Sequence, residues 1–177
     1  MTRARLVLLA LCCTCLLSGR AQEGSLPEVG ATAAPIDSSA YIHEKLAELN
    51  PHLTDAQVAR IREAILRYSN KYSLDPLLVT AVIEVESAAR PWARSPSGAL
   101  GLMQVMPYMI RPMDLAGNAS TVEANIEAGC MILAGNIRRL GEEDGISAYF
   151  WGSNIRGVTY LNRVRAARER LRRELPS

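Results

Sequence analysis

Residues 75–107 read DPLLVTAVIEVESAARPWARSPSGALGLMQVMP, and this stretch contains the main signals for the fold and for a candidate site. The pair Asp75-Pro76 is typical of a helix N-cap followed by its first turn. The apolar helix that begins there ends with Glu86. The following residues are rich in glycine, proline and serine, which predicts an irregular loop. The chain is then expected to form a short helix over 102–106.

Helical periodicity dominates the rest of the chain. Thr54 with Gln57 has the spacing of a capping box, and Ser120 with Glu123 repeats it. The predicted helices cover about 38–50, 54–72, 75–87, 120–140, 144–150 and 154–174. Because no segment shows sustained alternation of apolar and polar residues, we expect an all-α fold, or nearly so, in a single domain. Hydrophobic residues make up 49% of the chain, which excludes general disorder.

The first 21 residues have the features of a secretory signal. Arg3 and Arg5 form a basic start, residues 6–17 are apolar, and small residues favour cleavage after Ala21. A retained membrane anchor is less favoured because the apolar run is short for a bilayer. A lipid anchor is also less favoured, since the cysteines here lack a convincing attachment signature. We therefore expect a periplasmic or secreted protein.

The signal at 1–21 is expected to be followed by a flexible leader over 22–37 and by the helical domain over 38–177. Cleavage leaves Cys130 as the one remaining cysteine, and its apolar helix stripe favours a core thiol. Removing three signal arginines lowers the 20 basic residues to 17 against 18 acidic ones, for a net charge of −1. This balance gives no support for a nucleic-acid partner. The two histidines lack further ligands in register, so no metal site is expected. The chain also has no phosphate loop, and no cofactor is expected.

Two glutamates near the end of the apolar helix point in different directions. At about 100° per residue, Glu86 falls inside the apolar arc, whereas Glu84 falls beside Thr80, where solvent is expected. A carboxyl group that faces apolar surroundings loses hydration, and its pKa rises. A carboxylic acid that is still protonated near neutral pH can donate a proton to a leaving oxygen. Helix spacing leaves a second interpretation open, in which Glu86 pairs with Arg90 one turn later.

The residues around Glu86 resemble those of soluble, Slt-like lytic transglycosylases, which are related to goose-type lysozyme. The matching positions are Glu86-Ser87, Ser95, Gly98-Ala99, Gly101-Leu102-Met103-Gln104 and Pro107. Further matches are Asn125-Ile126, Ala128-Gly129, Leu133, Ala148-Tyr149, Gly152, Tyr160 and Val164. Several spaced motifs in the same order make this resemblance far more specific than one short pattern.

The resemblance implies a lysozyme-like helical fold and non-hydrolytic cleavage of peptidoglycan. The expected target is the β-1,4 bond from N-acetylmuramic acid to N-acetylglucosamine, and the expected product is a 1,6-anhydro sugar. By resemblance, Glu86 acts first as the acid and then as the base. This double role explains why no second carboxylate is evident in the motif region, although most glycosidases use two.

The resemblance also assigns substrate-binding or supporting roles to other positions. These are Ser87, Ser95, Gly98, Gly101, Met103, Gln104 and Tyr149. Tyr149 is expected to hydrogen-bond near the glutamate. One departure from the family pattern is Phe150, which stands where the family usually has asparagine. Substrate positioning is therefore expected to differ from that of typical members.

Two alternative functions remain open. One is a muramidase of the goose-lysozyme kind, which uses water. The other is a non-catalytic peptidoglycan-binding or assembly protein, for which Phe150 is the main argument. For an active enzyme, the expected partner is the peptidoglycan strand. General wall turnover and local wall opening for a secretion, conjugation or flagellar complex are both compatible with the sequence.

The C-terminal segment is rich in arginine. Between Arg156 and Glu174 there are seven arginines and two glutamates. A solvated helix face is the favoured interpretation, and attraction to anionic wall polymer or membrane is the alternative.

Overall fold

Seven helices are present in the part of the chain that the computed structural model describes, which is 38–110, 113 and 121–176. They are α1 (Ser38–Leu49), α2 (Asp55–Tyr72), α3 (Pro76–Ser87), α4 (Pro107–Ile110), α5 (Val122–Leu140), α6 (Glu142–Trp151) and α7 (Thr159–Glu174). The same residues contain isolated β-bridges but no strand, which confirms the all-α prediction. The predicted signal and leader, 1–37, lie outside the described residues.

Local capping chemistry sets the starts of α2 and α3 as predicted. The Thr54 side chain accepts from the Gln57 amide, and the Gln57 side chain accepts from the Thr54 amide at 2.8 Å, which completes the capping box. The Asp75 carboxylate accepts from the Leu77 amide at 2.9 Å, with Pro76 in the first turn. These bonds satisfy amides that have no partner within their helix.

The cap of α5 differs from the prediction. Thr121 is the N-cap and accepts from the Ala124 amide at 3.4 Å, while Ser120 lies outside the described residues. The Glu123 carboxylate forms a two-point ion pair with Arg60 of α2, at 2.6 and 2.7 Å. This pair joins the first turn of α5 to its neighbour.

Three other predicted boundaries are wrong. Residues 102–104 form turns and Val105 an isolated β-bridge rather than a helix, and the backbone of Gln104 is left-handed (φ 49°). Helix α6 begins at Glu142 rather than near Asp144. Helix α7 begins at Thr159, and the turn before it is held by the Trp151 indole, which donates to a backbone carbonyl at 3.1 Å.

Helix α3 is at the centre of the core. Its residues 77–83 are all buried, because α1, α2 and α7 pack around it. Helix α5 packs against α2 and α6, and its Cys130 is fully buried. This burial confirms the prediction of a core thiol, and it raises the pKa of the Cys130 thiol to about 12. The described helices belong to one compact unit.

Arginines of α7 form ion pairs with neighbouring helices instead of a uniformly solvated face. Arg168 and Arg172 both contact the Asp75 carboxylate, at 2.8 and 2.9 Å. Arg168 also reaches Glu142 at 2.9 Å, and Arg170 pairs with Glu84. These carboxylates belong to the N-cap of α3, the body of α3 and the start of α6, so the pairs hold α7 against both helices. A membrane span would need a longer and more apolar helix than any that the structure describes.

Candidate active site

A groove of about 350 Å³ opens beside the last turn of α3. Its described lining consists of Glu86, Ser95, Ser97, Ala99, Gln104, Val105, Met106, Met109, Ile132, Tyr149 and Phe150. Glu86 is the one carboxylate in this set. The remaining lining is apolar or carries neutral hydroxyl and amide groups, so the groove is suited to an uncharged polar ligand rather than to an ion.

The two glutamates of α3 lie on different sides, as their spacing predicts. Glu86 lines the groove, while Glu84 pairs with Arg170 of α7. The expectation that Glu84 and Thr80 face solvent is wrong: Thr80 is fully buried, and the Glu84 side chain is only 20% exposed. Helix α7 covers this side, and no periodicity within α3 predicts that neighbour.

Glu86 is held by a tyrosine from a distant part of the chain. The Tyr160 hydroxyl donates to Oε1 of Glu86 at 2.7 Å. Burial raises the pKa of Glu86, whereas the Tyr160 hydrogen bond and the nearby charge of Arg163 oppose the rise; the net shift is upward. Arg90 has another partner, because its Nε donates to the Ser87 carbonyl at 2.8 Å.

The raised pKa of Glu86 implies a cost in stability. A folded state with a raised carboxyl pKa loses stability as the pH rises from the unfolded value of 4.5 through the folded pKa. The variant Glu86→Gln does not titrate, so it is expected to exceed the wild type in melting temperature at pH 7. The advantage should shrink as the pH falls to 4.5, because the wild-type carboxyl is then protonated. Thermal unfolding from pH 4 to pH 8 measures this difference, and an advantage that does not change with pH would contradict it.

The glycine-rich loop that forms one wall of the groove is held in place by two buried side chains on the side away from the groove. The Ser87 hydroxyl donates to the Leu102 carbonyl at 2.7 Å. Asn125 of α5 accepts from the Met103 amide at 2.9 Å and donates to the Leu100 carbonyl at 2.8 Å. The loop backbone is therefore tied to both α3 and α5.

Close packing explains the glycines at this point. A Cβ on Gly101 would lie 2.6 Å from the Asn125 amide nitrogen, and the backbone there is left-handed (φ 75°). A Cβ on Gly129 of α5 would overlap the sulfur of the fully buried Met103. Side chains at either glycine would separate the loop from α5.

Short backbone bridges give the loop its shape. Leu100 and Val105 exchange two hydrogen bonds of 3.0 Å each. The side-chain amide of Gln104 donates to the Gly101 carbonyl at 2.9 Å, which helps to hold Gln104 in its left-handed conformation. Ser95 accepts from the Ala99 amide at 3.0 Å and closes the turn at the far end. A left-handed non-glycine residue on a groove wall is a form of local strain that often marks a functional site.

Tyr149 lines the groove but does not bond to the glutamate. Its hydroxyl donates to the Met103 carbonyl at 2.8 Å, so it supports the loop. Burial and the nearby Glu86 charge raise the pKa of Tyr149, which therefore keeps its proton. The direct bond to Glu86 comes from Tyr160 instead, which the sequence places in the closing helix without assigning it to the site.

The structure brings some of the predicted site residues to the groove and places others behind it. Glu86, Ser95, Gln104 and Tyr149 line the groove. Ser87, Gly98, Gly101 and Met103 are not among the lining residues, and Ser87 and Met103 are buried in its support. Sequence reasoning gave no role to Asn125 or Tyr160, because both act through contacts between distant segments.

Comparison with known proteins identifies the family. The transglycosylase SLT domain matches residues 63–168, which include the groove, its loop and most of α7. The chain belongs to the transglycosylase SLT domain family. The predicted resemblance is thereby confirmed. The family match also includes Asn125 and Tyr160, so both supporting contacts lie within the SLT domain.

Individual relatives of this SLT domain agree with the family match. A transglycosylase of Enterobacteria phage PRD1 is 38% identical over 93 residues, which are 52% of this chain and 35% of the relative. Membrane-bound lytic murein transglycosylase C of Edwardsiella ictaluri is 36% identical over 67 residues, or 38% and 19% of the two chains. The chain thus matches about a third or less of the length of these relatives.

Among solved structures, lytic transglycosylase Slt from Pseudomonas aeruginosa is similar to this SLT domain. It is 21% identical and has a TM-score of 0.46, with 62% of this chain and 22% of that chain covered.

Proposed function

We propose that this SLT-domain protein is a peptidoglycan lytic transglycosylase with Glu86 as its catalytic residue. The bond cut is the β-1,4 linkage from N-acetylmuramic acid to N-acetylglucosamine, and the product carries a 1,6-anhydro end. One observation carries the proposal: the groove presents a single, partly buried carboxyl group among its described lining residues. Membership of the family and the names of the relatives support the same activity.

The first step is general acid catalysis. With its pKa raised by burial, Glu86 retains more of its protonated form near neutral pH than an exposed glutamate does. Because Tyr160 donates to Oε1, the proposed mechanism assigns the proton to Oε2. Glu86 gives this proton to the glycosidic oxygen as the bond from that oxygen to the anomeric carbon breaks.

The second step restores the enzyme. The Glu86 carboxylate takes the proton of the muramic acid C6 hydroxyl, and the C6 oxygen forms a bond to the anomeric carbon. One proton leaves Glu86 and one returns to it, so no water is consumed. The Tyr160 hydroxyl, whose own pKa is raised by burial and by the neighbouring Glu86, stays protonated and supports the transient carboxylate.

Product analysis distinguishes this reaction from its alternatives. We expect purified protein to release muropeptides with anhydro ends from sacculi, with masses about 18 Da below those of hydrolysed products. Mass spectrometry of the digest measures this difference. Reducing ends that take up ¹⁸O from labelled water would instead indicate a muramidase. Sacculi that bind the protein without release of any fragment would indicate a wall-binding or assembly protein.

We also propose an envelope location, either periplasmic or secreted, with 1–21 as the signal. Two observations support it: the sequence features of that segment, and the names of relatives described as membrane-bound lytic murein transglycosylases. A narrower proposal, which assumes this envelope location, is that the protein opens the wall locally for a secretion, conjugation or flagellar complex. Deletion of the gene should then impair assembly of that complex while wall growth stays normal.

A further inference from the structure

Phe150 is the position at which this chain departs from the family pattern, and it lies at the groove. Its ring stacks on the Tyr160 ring, with centroids 5.0 Å apart and planes 17° from parallel. On another side it meets Trp151 edge to face at 4.9 Å. Phe150 is 56% exposed while Tyr160 is only 4% exposed, so Phe150 covers one face of the tyrosine ring.

These contacts connect Phe150 to the Glu86 carboxyl through Tyr160, and the three residues belong to three different helices. Phe150 belongs to α6, Tyr160 to the first turn of α7, and Glu86 to the last turn of α3. The Tyr160 hydroxyl reaches Oε1 of Glu86 at 2.7 Å, and that bond depends on where the tyrosine ring lies. An asparagine side chain at this position would offer an amide edge and no comparable ring face.

We propose that Phe150 is a positioning residue, which acts through Tyr160 to orient the Glu86 carboxyl. Its role in the reaction rests on the proposed function, whereas its effect on Glu86 does not. The ring fixes the plane of the tyrosine and so the direction of its hydroxyl. Parallel rings at this separation are in an attractive arrangement that a flexible aliphatic side chain does not reproduce.

Two opposite effects on the pKa of Glu86 make the proposal testable. Among the residues that the structure describes, the titratable or charged groups that face Glu86 are Tyr149 of α6 and Tyr160 and Arg163 of α7. Weakening the Tyr160 hydrogen bond removes stabilisation of the carboxylate and raises the pKa. Letting water into the groove would do the reverse and lower it. The direction of the shift therefore separates positioning from simple shielding.

The experiment is an NMR titration of the Glu86 carboxyl carbon in ¹³C-labelled, full-length protein, assigned with Glu86→Gln. We expect Phe150→Leu to raise the pKa toward that of Tyr160→Phe, and Phe150→Tyr to restore the wild-type value. In the double variant, the pKa of Glu86 should equal that of Tyr160→Phe alone, with no further shift from Phe150→Leu. Leu140→Ala, at an exposed site on the end of α5, is the control and should leave the pKa unchanged. An unchanged or lowered pKa in Phe150→Leu overturns the proposal, as does an additive effect in the double variant.

Kinetics with soluble glycan strands test the consequence for catalysis. Phe150→Leu should lower kcat about tenfold with little change in KM, since the acid is misplaced while the strand still binds. A rise in KM alone would mean that Phe150 contacts the sugar directly, and would overturn the proposal. If the wild type releases no product while the titration behaves as expected, the proposed function fails and the positioning effect stands.

Discussion

Glu86→Gln is expected to reduce wall lysis by at least about 10³-fold, because in the proposed mechanism one group supplies both the general acid and the general base. The amide can still accept the Tyr160 hydrogen bond at its oxygen, so the groove should keep its shape. It has no proton to donate to the glycosidic oxygen and cannot take one from the C6 hydroxyl. Release of soluble muropeptides from purified sacculi measures the loss, and circular dichroism checks that the fold is intact.

Glu84→Gln is the matched control for this variant. The two glutamates lie two residues apart on α3, but Glu84 contacts Arg170 and does not line the groove. Its replacement weakens one ion pair between α3 and α7 and should leave lysis within about twofold of the wild type, because a partly exposed pair contributes little. Equal lysis by wild type and Glu86→Gln would show that Glu86 takes no part in the reaction. Equal losses in both variants would point to damage to α3 instead.

Asn125→Ala is expected to destabilise the fold by about 2–4 kcal/mol. The change leaves the buried Met103 amide without its side-chain acceptor and the Leu100 carbonyl without its amide donor. It also frees the loop that carries Gln104, so activity should fall about tenfold or more even where the protein remains folded. Urea unfolding gives the stability change, and sacculus digestion below the unfolding transition gives the activity change.

Asn136→Ala, on the same helix, is the control for loss of an asparagine from α5. Asn136 accepts a hydrogen bond from Arg139 at 3.3 Å in an exposed environment. Its replacement should change stability by less than about 0.5 kcal/mol. A comparable stability loss in the two variants would show that the loop contacts of Asn125 contribute nothing specific. Retention of full activity by Asn125→Ala would show that the groove does not depend on them.

The parts of the fold that the sequence predicted are those decided by neighbouring residues. The capping box of Thr54 and Gln57 and the cap formed by Asp75 and Pro76 need only three or four residues to form. The spacing of Glu84 and Glu86 likewise separates their directions on one helix. The same spacing predicted that Glu86 lies in the apolar arc, and the family motifs assigned the same glutamate to the site.

The features that the sequence did not predict depend on contacts between distant segments. Tyr160 bonds to Glu86 across 74 positions, and Arg170 covers Glu84 across 86. No periodicity within α3 contains either partner. The predicted helix over 102–106 fails for the same reason, since Asn125 and Ser87 hold that backbone in turns against its local preference.

The most direct test of the account is the pKa of Glu86 itself, measured by the carboxyl ¹³C titration of the wild-type protein without ligand. Partial burial in the groove should place the midpoint above the ordinary glutamate value of 4.5, so that a larger fraction of the group keeps its proton near neutral pH than in an exposed glutamate. A midpoint at or below 4.5 would mean that Tyr160 and Arg163 outweigh burial. In that case Glu86 would hold its proton no better than an exposed glutamate does, which would contradict the proposed first step.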